Sequence, residues 1–327
     1  MTLLGYHQFT SWENHFIDGE NERDNILFGF ELEAREDTSN YIENQLSPEE
    51  VAQKLKNEFG NLFVYERDGS IGRGVEIISN PMTLGWYMTN IDKFKRLLEM
   101  LEEMNYVSTK GDKCGLHIHF NRKALGFNSK EYNSLLQSVH QQERADFIDH
   151  ERANITIENI VSIMELYKDE LIKISGRSKK SINQWCKFET SNGTEIKVIK
   201  DVAKNKRKSG GGHSDRYKVV NTTNTNTIEI RLCRGTLLWE SFNTRIHLMY
   251  NIVNIARNMQ GLVNFQKLLI YKTDRETYDM MKKYIEKNTI SKRRVSVQNV
   301  KKSILLMPTD KLRPSCLTFG KTSSDID

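Results

Sequence analysis

The sequence has 327 residues, with 48 lysines and arginines, 43 aspartates and glutamates, and a formal net charge of +5 at pH 7. This length suits one large domain or two ordinary ones, and the ordinary apolar content is enough to fill a substantial core. No run of about 18 apolar residues occurs, which argues against a membrane span. The first residues lack the basic and apolar segments of a signal peptide, so we expect a cytoplasmic protein.

The charge is unevenly distributed along the chain. Residues 1–60 carry 13 acidic and 4 basic side chains, whereas residues 272–321 carry 13 basic and 5 acidic ones. A basic segment of this kind can bind nucleic acid, but no nucleic-acid-binding motif accompanies it. We therefore favour a solvated basic surface and leave a nucleic-acid partner open.

Capping residues and apolar spacing predict a series of helices. Ser47-Pro48-Glu49-Glu50 is a capping box with proline at the first helical position, and Gly60 is a stop signal, so a helix is predicted over 47–59. Apolar residues three and four positions apart indicate further helices. These are predicted at 91–104, 129–140, along an apolar stripe from Ile160 to a stop at Gly176, from Phe242 to Ile255, at 274–286 and at 295–305.

Alternating apolar and polar residues predict strands. They lie near residues 26–34, 61–66, 74–79, 115–121, 216–222 and 227–233. Because helices and loops of varied length separate these strands, the pattern favours an α+β fold over a doubly wound parallel sheet. The polar, basic and glycine-rich segment 200–215 predicts a mobile loop, which is a candidate lid.

One predicted strand carries two glutamates on a single face. In Phe28-Gly29-Phe30-Glu31-Leu32-Glu33, successive side chains alternate between the two faces. Glu31 and Glu33 therefore share a face with Gly29, opposite the apolar side chains. Two such carboxylates repel each other unless a positive group lies between them. Taken alone, the strand could equally be a solvent-facing one with surface acids.

The same layout recurs in three other predicted strands. His117 and His119 share the polar face of one strand, Glu229 and Arg231 that of another, and Glu76 follows Gly74 in a third. A single histidine pair of this kind is more often structural than ligating, but these polar sets complement one another. Carboxylates bind hard cations such as Mg²⁺ or Mn²⁺, and arginine binds phosphate or carboxylate through a planar fork. Together they indicate a site for phosphate chemistry rather than for zinc.

Six short motifs occur in one order along the chain. They are Gly29-Phe30-Glu31-Leu32-Glu33, Asp68-Gly69-Ser70, Glu76-Ile77-Ile78-Ser79-Asn80-Pro81, Cys114-Gly115-Leu116-His117-Ile118-His119, Arg216-Tyr217 with Asn221, and Thr227-Ile228-Glu229-Ile230-Arg231. In this order they resemble the carboxylate–amine ligase superfamily of glutamine synthetase and glutamate–cysteine ligase. The resemblance is greatest to the amidoligase family of bacteria and phages. Asn80 departs from the family pattern, in which proline is common at that position.

The resemblance implies a fold and a division of the chain. The fold is an antiparallel sheet of the glutamine-synthetase catalytic type, with helices packed on one face. The resemblance covers about residues 25–260, which would form the catalytic domain. Residues 1–24 would be an N-terminal extension, and residues 261–327 a basic, mostly helical region packed on the same domain.

The resemblance also implies roles for particular residues. Catalysis would involve Arg231, Glu31 and Glu229, with Arg231 meeting the transferred phosphate. The implied metal ligands are Glu31, Glu33, Glu76, His117 and Glu229. The residues implied on the nucleotide or substrate side are Asp68, Ser70, His119, Arg177, Tyr217, Asn221 and Arg231.

The implied activity is ATP-dependent amide formation with Mg²⁺ or Mn²⁺. The partners would be small-molecule or peptide carboxylates and amines. An oligomer is open, as is a phage-encoded protein acting in the host cytoplasm. Two other interpretations are a phosphotransferase like the guanidino kinases, which share the fold, and a non-catalytic binding or virion-associated protein that reuses it.

Overall fold

The computed structural model describes residues 2–5, 8–9, 11–39, 42–109, 113–188, 216–287, 295–297 and 300–306. Within these ranges the chain forms a mixed α/β structure around a mostly antiparallel open sheet. The strands are β1 (Leu3–Leu4), β2 (Phe28–Glu36), β3 (Phe63–Glu66), β4 (Gly74–Ser79), β5 (Tyr106–Val107), β6 (Gly115–Asn121), β7 (Val220–Asn221), β8 (Thr227–Arg234), β9 (Gly261–Asn264) and β10 (Ser303–Leu306).

The main sheet follows the order β1-β3-β4-β2-β6-β8-β7, and the short β5 also pairs with β2. Every pairing in it is antiparallel except β1 with β3. β9 and β10 form a separate antiparallel pair. The central strands β4, β2, β6 and β8 therefore lie side by side although long segments separate them in sequence.

Ten helices accompany the sheet in the described ranges. They are α1 (Pro48–Phe59), α2 (Leu84–Thr89), α3 (Ile91–Glu103), α4 (Ser129–Val139), α5 (Gln142–Leu166), α6 (Lys168–Ser175), α7 (Lys179–Trp185), α8 (Trp239–Asn258), α9 (Phe265–Ile270) and α10 (Arg275–Lys287). None of them has the length and apolar character needed to cross a membrane.

The main core lies between the helices and the apolar face of the sheet. Phe30 of β2 is fully buried there, with its ring centroid 6.0 Å from that of Phe94 on α3 and 5.2 Å from that of Phe242 on α8. Alternate residues of β4, β6 and β8 join the same cluster, including Ile77, Ile118 and Ile230. This packing leaves the polar alternate positions on the opposite face.

Both ends of the described chain pack against this core. Leu3 of β1 lies in the main cluster, as do Leu268 of α9, Met281 of α10 and Leu306 of β10. The Tyr167 hydroxyl donates to the carbonyl oxygens of Val263 at 3.2 Å and Lys302 at 2.9 Å. These contacts fasten the β9–β10 pair to the helices.

The structure agrees with most of the predicted elements and corrects three of them. The helix predicted over 295–305 is wrong, since Ser303–Leu306 form β10, which pairs with β9 and buries Leu306. The apolar stripe ending at Gly176 belongs to two helices, α5 and α6, which break at Tyr167. The predicted strand over 216–222 shrinks to Val220–Asn221. The candidate lid 200–215 lies outside the described residues.

Phe30→Ala should lower the free energy of unfolding by about 3–5 kcal/mol, because it removes a ring packed between the sheet and two helices. Urea denaturation of the purified variant would measure the loss. Phe147→Ala is the matched control, since that side chain is 49% exposed and should change stability by no more than about 0.5 kcal/mol. Equal losses in the two variants would contradict this description of the core.

Candidate active site

Strand register brings the predicted polar residues together on one face of the sheet. Glu31 of β2 lies opposite His117 of β6, and Glu33 of β2 lies opposite Glu76 of β4. Directly opposed residues of antiparallel strands have closely spaced side chains. The pairing of β4, β2 and β6 therefore places four predicted ligands in one compact group.

The same register continues across β8 and β7. His119 of β6 lies opposite Glu229 of β8, and Glu229 lies opposite Asn221 of β7. The Asn221 amide donates to Glu229 Oε2 at 2.8 Å. Gly29 of β2 lies opposite His119, and a Cβ atom built on it would lie 3.3 Å from the Ser79 carbonyl oxygen, so glycine allows a close approach of the two backbones here.

Glu31 lies at the centre of this group. Its Oε2 is 3.1 Å from His117 Nδ1, and its Oε1 is 2.9 Å from His119 Nε2. His117 Nδ1 is also 3.5 Å from Glu229 Oε1.

Gly115 fixes Glu33 and also makes room for its neighbours. Its backbone N–H donates to Glu33 Oε2 at 2.6 Å. A Cβ atom at this position would lie 2.5 Å from His117 Nε2 and 2.9 Å from Arg177 Nη2. Only glycine therefore allows the histidine and the arginine to approach the strand so closely.

Arg231 reaches the site at an irregularity in β8. Ile118 pairs with Ile230 and Leu116 with Cys233, so three steps along β8 match two along β6. Such a bulge bends the strand and redirects a side chain. Arg231 Nη1 donates to Glu229 Oε1, and the guanidinium carbon lies 5.8 Å from the Tyr217 ring centroid.

Burial and like charge dominate the acidic half of the site. Burial raises the pKa of Glu76 to about 10, with further contributions from Glu31, Glu33, Asp68 and Glu66. Burial also raises the pKa of Glu33. These carboxylates cannot all carry a charge at neutral pH unless a cation or protons compensate them.

In the half of the site that contains the histidines, ion-pair partners outweigh burial and favour the charged forms. Burial alone would lower the pKa of His119, but the Glu31 and Glu229 carboxylates outweigh it and raise the pKa to about 9. Burial disfavours the charged form of Glu31, yet His119 and His117 hold its pKa well below the usual value. In Glu229, Arg231 and His119 likewise outweigh burial and lower the pKa. The ion pairs thus keep two of the carboxylates charged.

The donor atoms fit a divalent cation. Three overlapping groups of three residues each hold one ligand atom per residue, with all three atoms within 4.8 Å of one another. Carboxylate oxygens with an occasional imidazole suit Mg²⁺ or Mn²⁺. Such an ion would offset the crowding of negative charge around Glu76. The groups are Glu31 with Glu76 and His117, Glu31 with His119 and Glu229, and Glu33 with Asp68 and Glu76.

A cavity of about 160 Å³ contains the carboxylates, and an adjoining cavity of about 230 Å³ is richer in basic side chains. The two share Glu33, Asp68, His117, Arg216 and Arg231. The complete lining of the cavity with the basic side chains is Glu33, Asp68, Ser70, Lys113, His117, Arg177, Trp185, Arg216, Tyr217 and Arg231. The carboxylate cavity also includes Asn221, Thr223 and Asn224.

All the residues singled out from the sequence therefore line one pair of cavities. Sequence reasoning missed several neighbours. Glu66 of β3 lies opposite Glu76 and is 2% exposed. The predicted strand at 61–66 could have revealed it by the rule of alternation. Lys113 and Trp185 carried no signal, and Arg216 was part of a motif but was given no role.

Comparison with known families gives one match. The family profile described as "putative amidoligase enzyme" matches residues 64–253. This span includes Glu76, His117, Glu229 and Arg231, whereas Glu31 and the rest of β2 lie before it. A search of curated proteins found no match.

Glu76→Gln should stabilise the protein when divalent cations are chelated. The carboxyl ionises near its ordinary pKa of 4.5 in the unfolded chain but keeps its proton to about pH 10 in the folded protein. The folded state binds more protons between these values, so the free energy of unfolding falls as pH rises, by at most ~1.4 kcal/mol per pH unit. Glutamine does not titrate, so its advantage over wild type should grow with pH.

Urea denaturation in a chelator at about pH 6 and about pH 8 would measure this difference. Glu143→Gln is the matched control, because that glutamate is exposed on α5. If the stability of Glu76→Gln relative to wild type is the same at both pH values, the crowding of charge around Glu76 is contradicted.

Proposed function

Because the chain belongs to the amidoligase family, whose profile matches residues 64–253 of its 327, we propose that it is an ATP- and divalent-cation-dependent carboxylate–amine ligase. The family assignment confirms the resemblance seen in the sequence and supports ligase activity. The cofactors, the reaction course and the residue roles below are our proposals.

One observation carries the proposal. A buried group of carboxylates and histidines shares one face of a sheet with Arg231 and adjoins a cavity lined by Lys113, Arg177 and Arg216. An acidic region beside a basic one suits a complex of divalent cations with a polyphosphate. The mostly antiparallel sheet, with helices on its apolar face, supports a catalytic sheet of the glutamine-synthetase type.

Glu31, Glu33, Glu76, His117 and Glu229 would hold the cation. When bound, it would neutralise phosphate oxygens and reduce the repulsion between ATP and an incoming carboxylate. His119 and Asp68 belong to two of the candidate donor groups as well, so they are further ligand candidates beside their proposed place on the substrate side.

The chemistry would proceed in two displacements. An oxygen of the substrate carboxylate attacks the γ-phosphorus of ATP, which breaks the bond to the β–γ bridging oxygen and yields an acyl phosphate and ADP. The amine nitrogen then attacks the acyl carbon, loses a proton and expels inorganic phosphate. The product is an amide.

The protein would act by positioning and by charge. Arg231 is held by Glu229 and faces both cavities, so its guanidinium can meet the transferred phosphoryl group. Arg177 is fixed by donating to the Leu232 carbonyl at 3.2 Å and to Ser181 Oγ at 3.0 Å, which suits a second phosphate contact. Burial of the site would limit hydrolysis of the acyl phosphate by water.

Addition of Mg²⁺ or Mn²⁺ should raise the melting temperature of the wild-type protein, because the cation binds only the folded donor set. At about 100 times its Kd, the cation would add ~2.7 kcal/mol to the free energy of unfolding. Glu31→Gln should remove most of this shift, and Glu143→Gln should keep it. Differential scanning calorimetry with and without cation would decide, and a wild-type protein that does not respond to millimolar cation would argue against the site.

Arg231→Ala should lower the rate of ATP turnover by about a hundredfold to a thousandfold, the usual cost of losing one charge-stabilising group in the transition state. The assay would follow ADP release with pooled carboxylates and amines. Arg275→Ala is the matched control, since its side chain is 94% exposed. Circular dichroism would show that both variants fold. Wild-type turnover that survives Arg231→Ala unchanged would exclude the proposed role.

A further inference from the structure

The hairpin loop between β7 and β8 forms one wall of the carboxylate cavity. Thr223 and Asn224 of this loop line the cavity together with Asn221, the last residue of β7. The loop spans residues 222–226 and contains neither glycine nor proline, the two residues that set backbone angles most directly. Its conformation therefore depends on contacts made from outside the loop as well as on its own residues.

Arg122, which directly follows β6, holds this loop at both ends. Its Nη2 donates to the Thr222 carbonyl oxygen at 2.7 Å. Its Nε donates to the carbonyl oxygens of Asn224 at 3.0 Å and Thr227 at 3.1 Å. Its backbone N–H donates to the Asn226 carbonyl oxygen at 2.9 Å. Because a guanidinium presents its donors in a fixed plane, this one side chain sets the spacing of three carbonyl groups.

Backbone carbonyl oxygens serve Arg122 in place of an acidic partner. Among the described residues, the hydrogen bonds of its guanidinium all end on carbonyl groups of this hairpin. Burial lowers the pKa of Arg122, so part of its charge is removed from water. Hydrogen bonds from a charged donor are stronger than those between neutral groups. They offset the loss of hydration and hold the loop more firmly than a neutral donor would.

The loop transmits this restraint to Asn221. The C=O and N–H of a trans peptide unit point in opposite directions, so the bond from Arg122 to the Thr222 carbonyl directs the Thr223 N–H away from the guanidinium. That N–H donates to Asn221 Oδ1 at 3.0 Å. The other end of the Asn221 amide, Nδ2, donates to Glu229 Oε2 at 2.8 Å. If the amide were rotated, its oxygen would face the carboxylate, and two acceptors repel each other.

We propose that Arg122 is a positioning residue, which fixes the Glu229 carboxylate through the hairpin loop and the Asn221 amide. Arg122 itself lines neither cavity of the candidate active site, so it acts only through the groups that it holds. Its effect on cation binding rests on the proposed function, in which Glu229 is a cation ligand and orients Arg231. Removal of a partner that orients a metal ligand commonly lowers metal affinity by about tenfold to a hundredfold.

Arg122→Gln should weaken the binding of Mn²⁺ to the full chain by about tenfold or more, measured by isothermal titration calorimetry. Arg122→Lys should recover only part of the affinity, because an ammonium group keeps the charge but lacks the planar set of donors. Lys123→Gln is the matched control, since that neighbouring ammonium group pairs with Glu22 and should leave the affinity unchanged. If Arg122→Gln fails to fold by circular dichroism, Arg122→Lys carries the same comparison. An affinity that neither Arg122 variant changes would overturn the proposal.

A double-mutant cycle tests whether Arg122 acts through Asn221. When Asn221→Ala is already present, Arg122→Gln should weaken Mn²⁺ binding by less than about twofold further, because the amide that it would disturb is gone. If Arg122→Gln instead costs its full tenfold in that background, the two residues act independently. Arg122 would then support the fold in general, and the proposal would be overturned.

Hydrogen exchange separates this proposal from the proposed function. Followed by NMR in the absence of cation, the Thr223 N–H should be protected in the wild type and in Lys123→Gln, and should lose most of that protection in Arg122→Gln. A wild-type protein that binds no Mn²⁺ would argue against the proposed function, and the exchange result would then decide the role of Arg122. Protection that survives in both Arg122 variants would overturn the proposal, whatever the cation does.

Discussion

The repulsion among buried carboxylates on one face of the sheet is the constraint on which the candidate site depends. Glu66, Glu76 and Glu33 form a continuous row across β3, β4 and β2, since each lies directly opposite the next. The row is buried, so water screens its charge poorly. At neutral pH such a row needs either bound protons or a counter-charge, which is why it supports the proposed cation site more strongly than any single acid does.

The positive partners of the carboxylates are distributed unevenly, so two of the carboxylates have lowered pKa values and two have raised ones. Glu31 and Glu229 have histidine and arginine partners, and their pKa values are lowered. Burial raises the pKa of Glu33 despite the nearby His117, and burial together with neighbouring carboxylates raises the pKa of Glu76. Protons can balance the second pair in the absence of a cation. Cation binding there would therefore displace protons, and affinity would rise with pH.

The same strands build the core and the site, which explains how a moderate number of residues can fix so many donor atoms. Phe30 and Leu32 anchor β2 in the core, and Glu31 between them cannot shift without disturbing both. Gly115 supplies the clearance that His117 Nε2 and the Arg177 guanidinium need. Sites held on strands in this way are more precisely positioned than sites on loops.

Much of this arrangement could be predicted from alternation alone, because the side-chain period of a strand is fixed. The faces of β2, β6 and β8 followed from their sequences, whereas the grouping of Glu31, His117 and Glu229 was implied by the amidoligase resemblance. The profile match bears out that resemblance. Alternation gives the face of a residue, whereas strand order and register depend on the whole chain.

The elements that were missed show where local patterns fail. The segment 295–305 has apolar residues at spacings that suit a helix, but pairing with β9 decides its structure and makes Ser303–Leu306 a strand. The helix predicted along the apolar stripe to Gly176 is interrupted at Tyr167. The buried Tyr167 hydroxyl donates hydrogen bonds to the carbonyl oxygens of Val263 and Lys302, which are distant in sequence. Lys113 and Trp185 approach the site only through tertiary folding, so no local signal marks them.

The irregularity in β8 has the most direct bearing on chemistry. If β8 were regular, Arg231 would follow the same pairing with β6 as Glu229, and its guanidinium would lie among the acidic side chains. The extra residue between Ile230 and Cys233 interrupts the regular pairing with β6 beside Arg231, and the Arg231 side chain lines both cavities. One end of the guanidinium remains bonded to Glu229, so the side chain stays oriented. Arg216 also lines both cavities, but Arg231 is the arginine bonded to a proposed cation ligand, and the cation and the transferred phosphate would have to meet beside it.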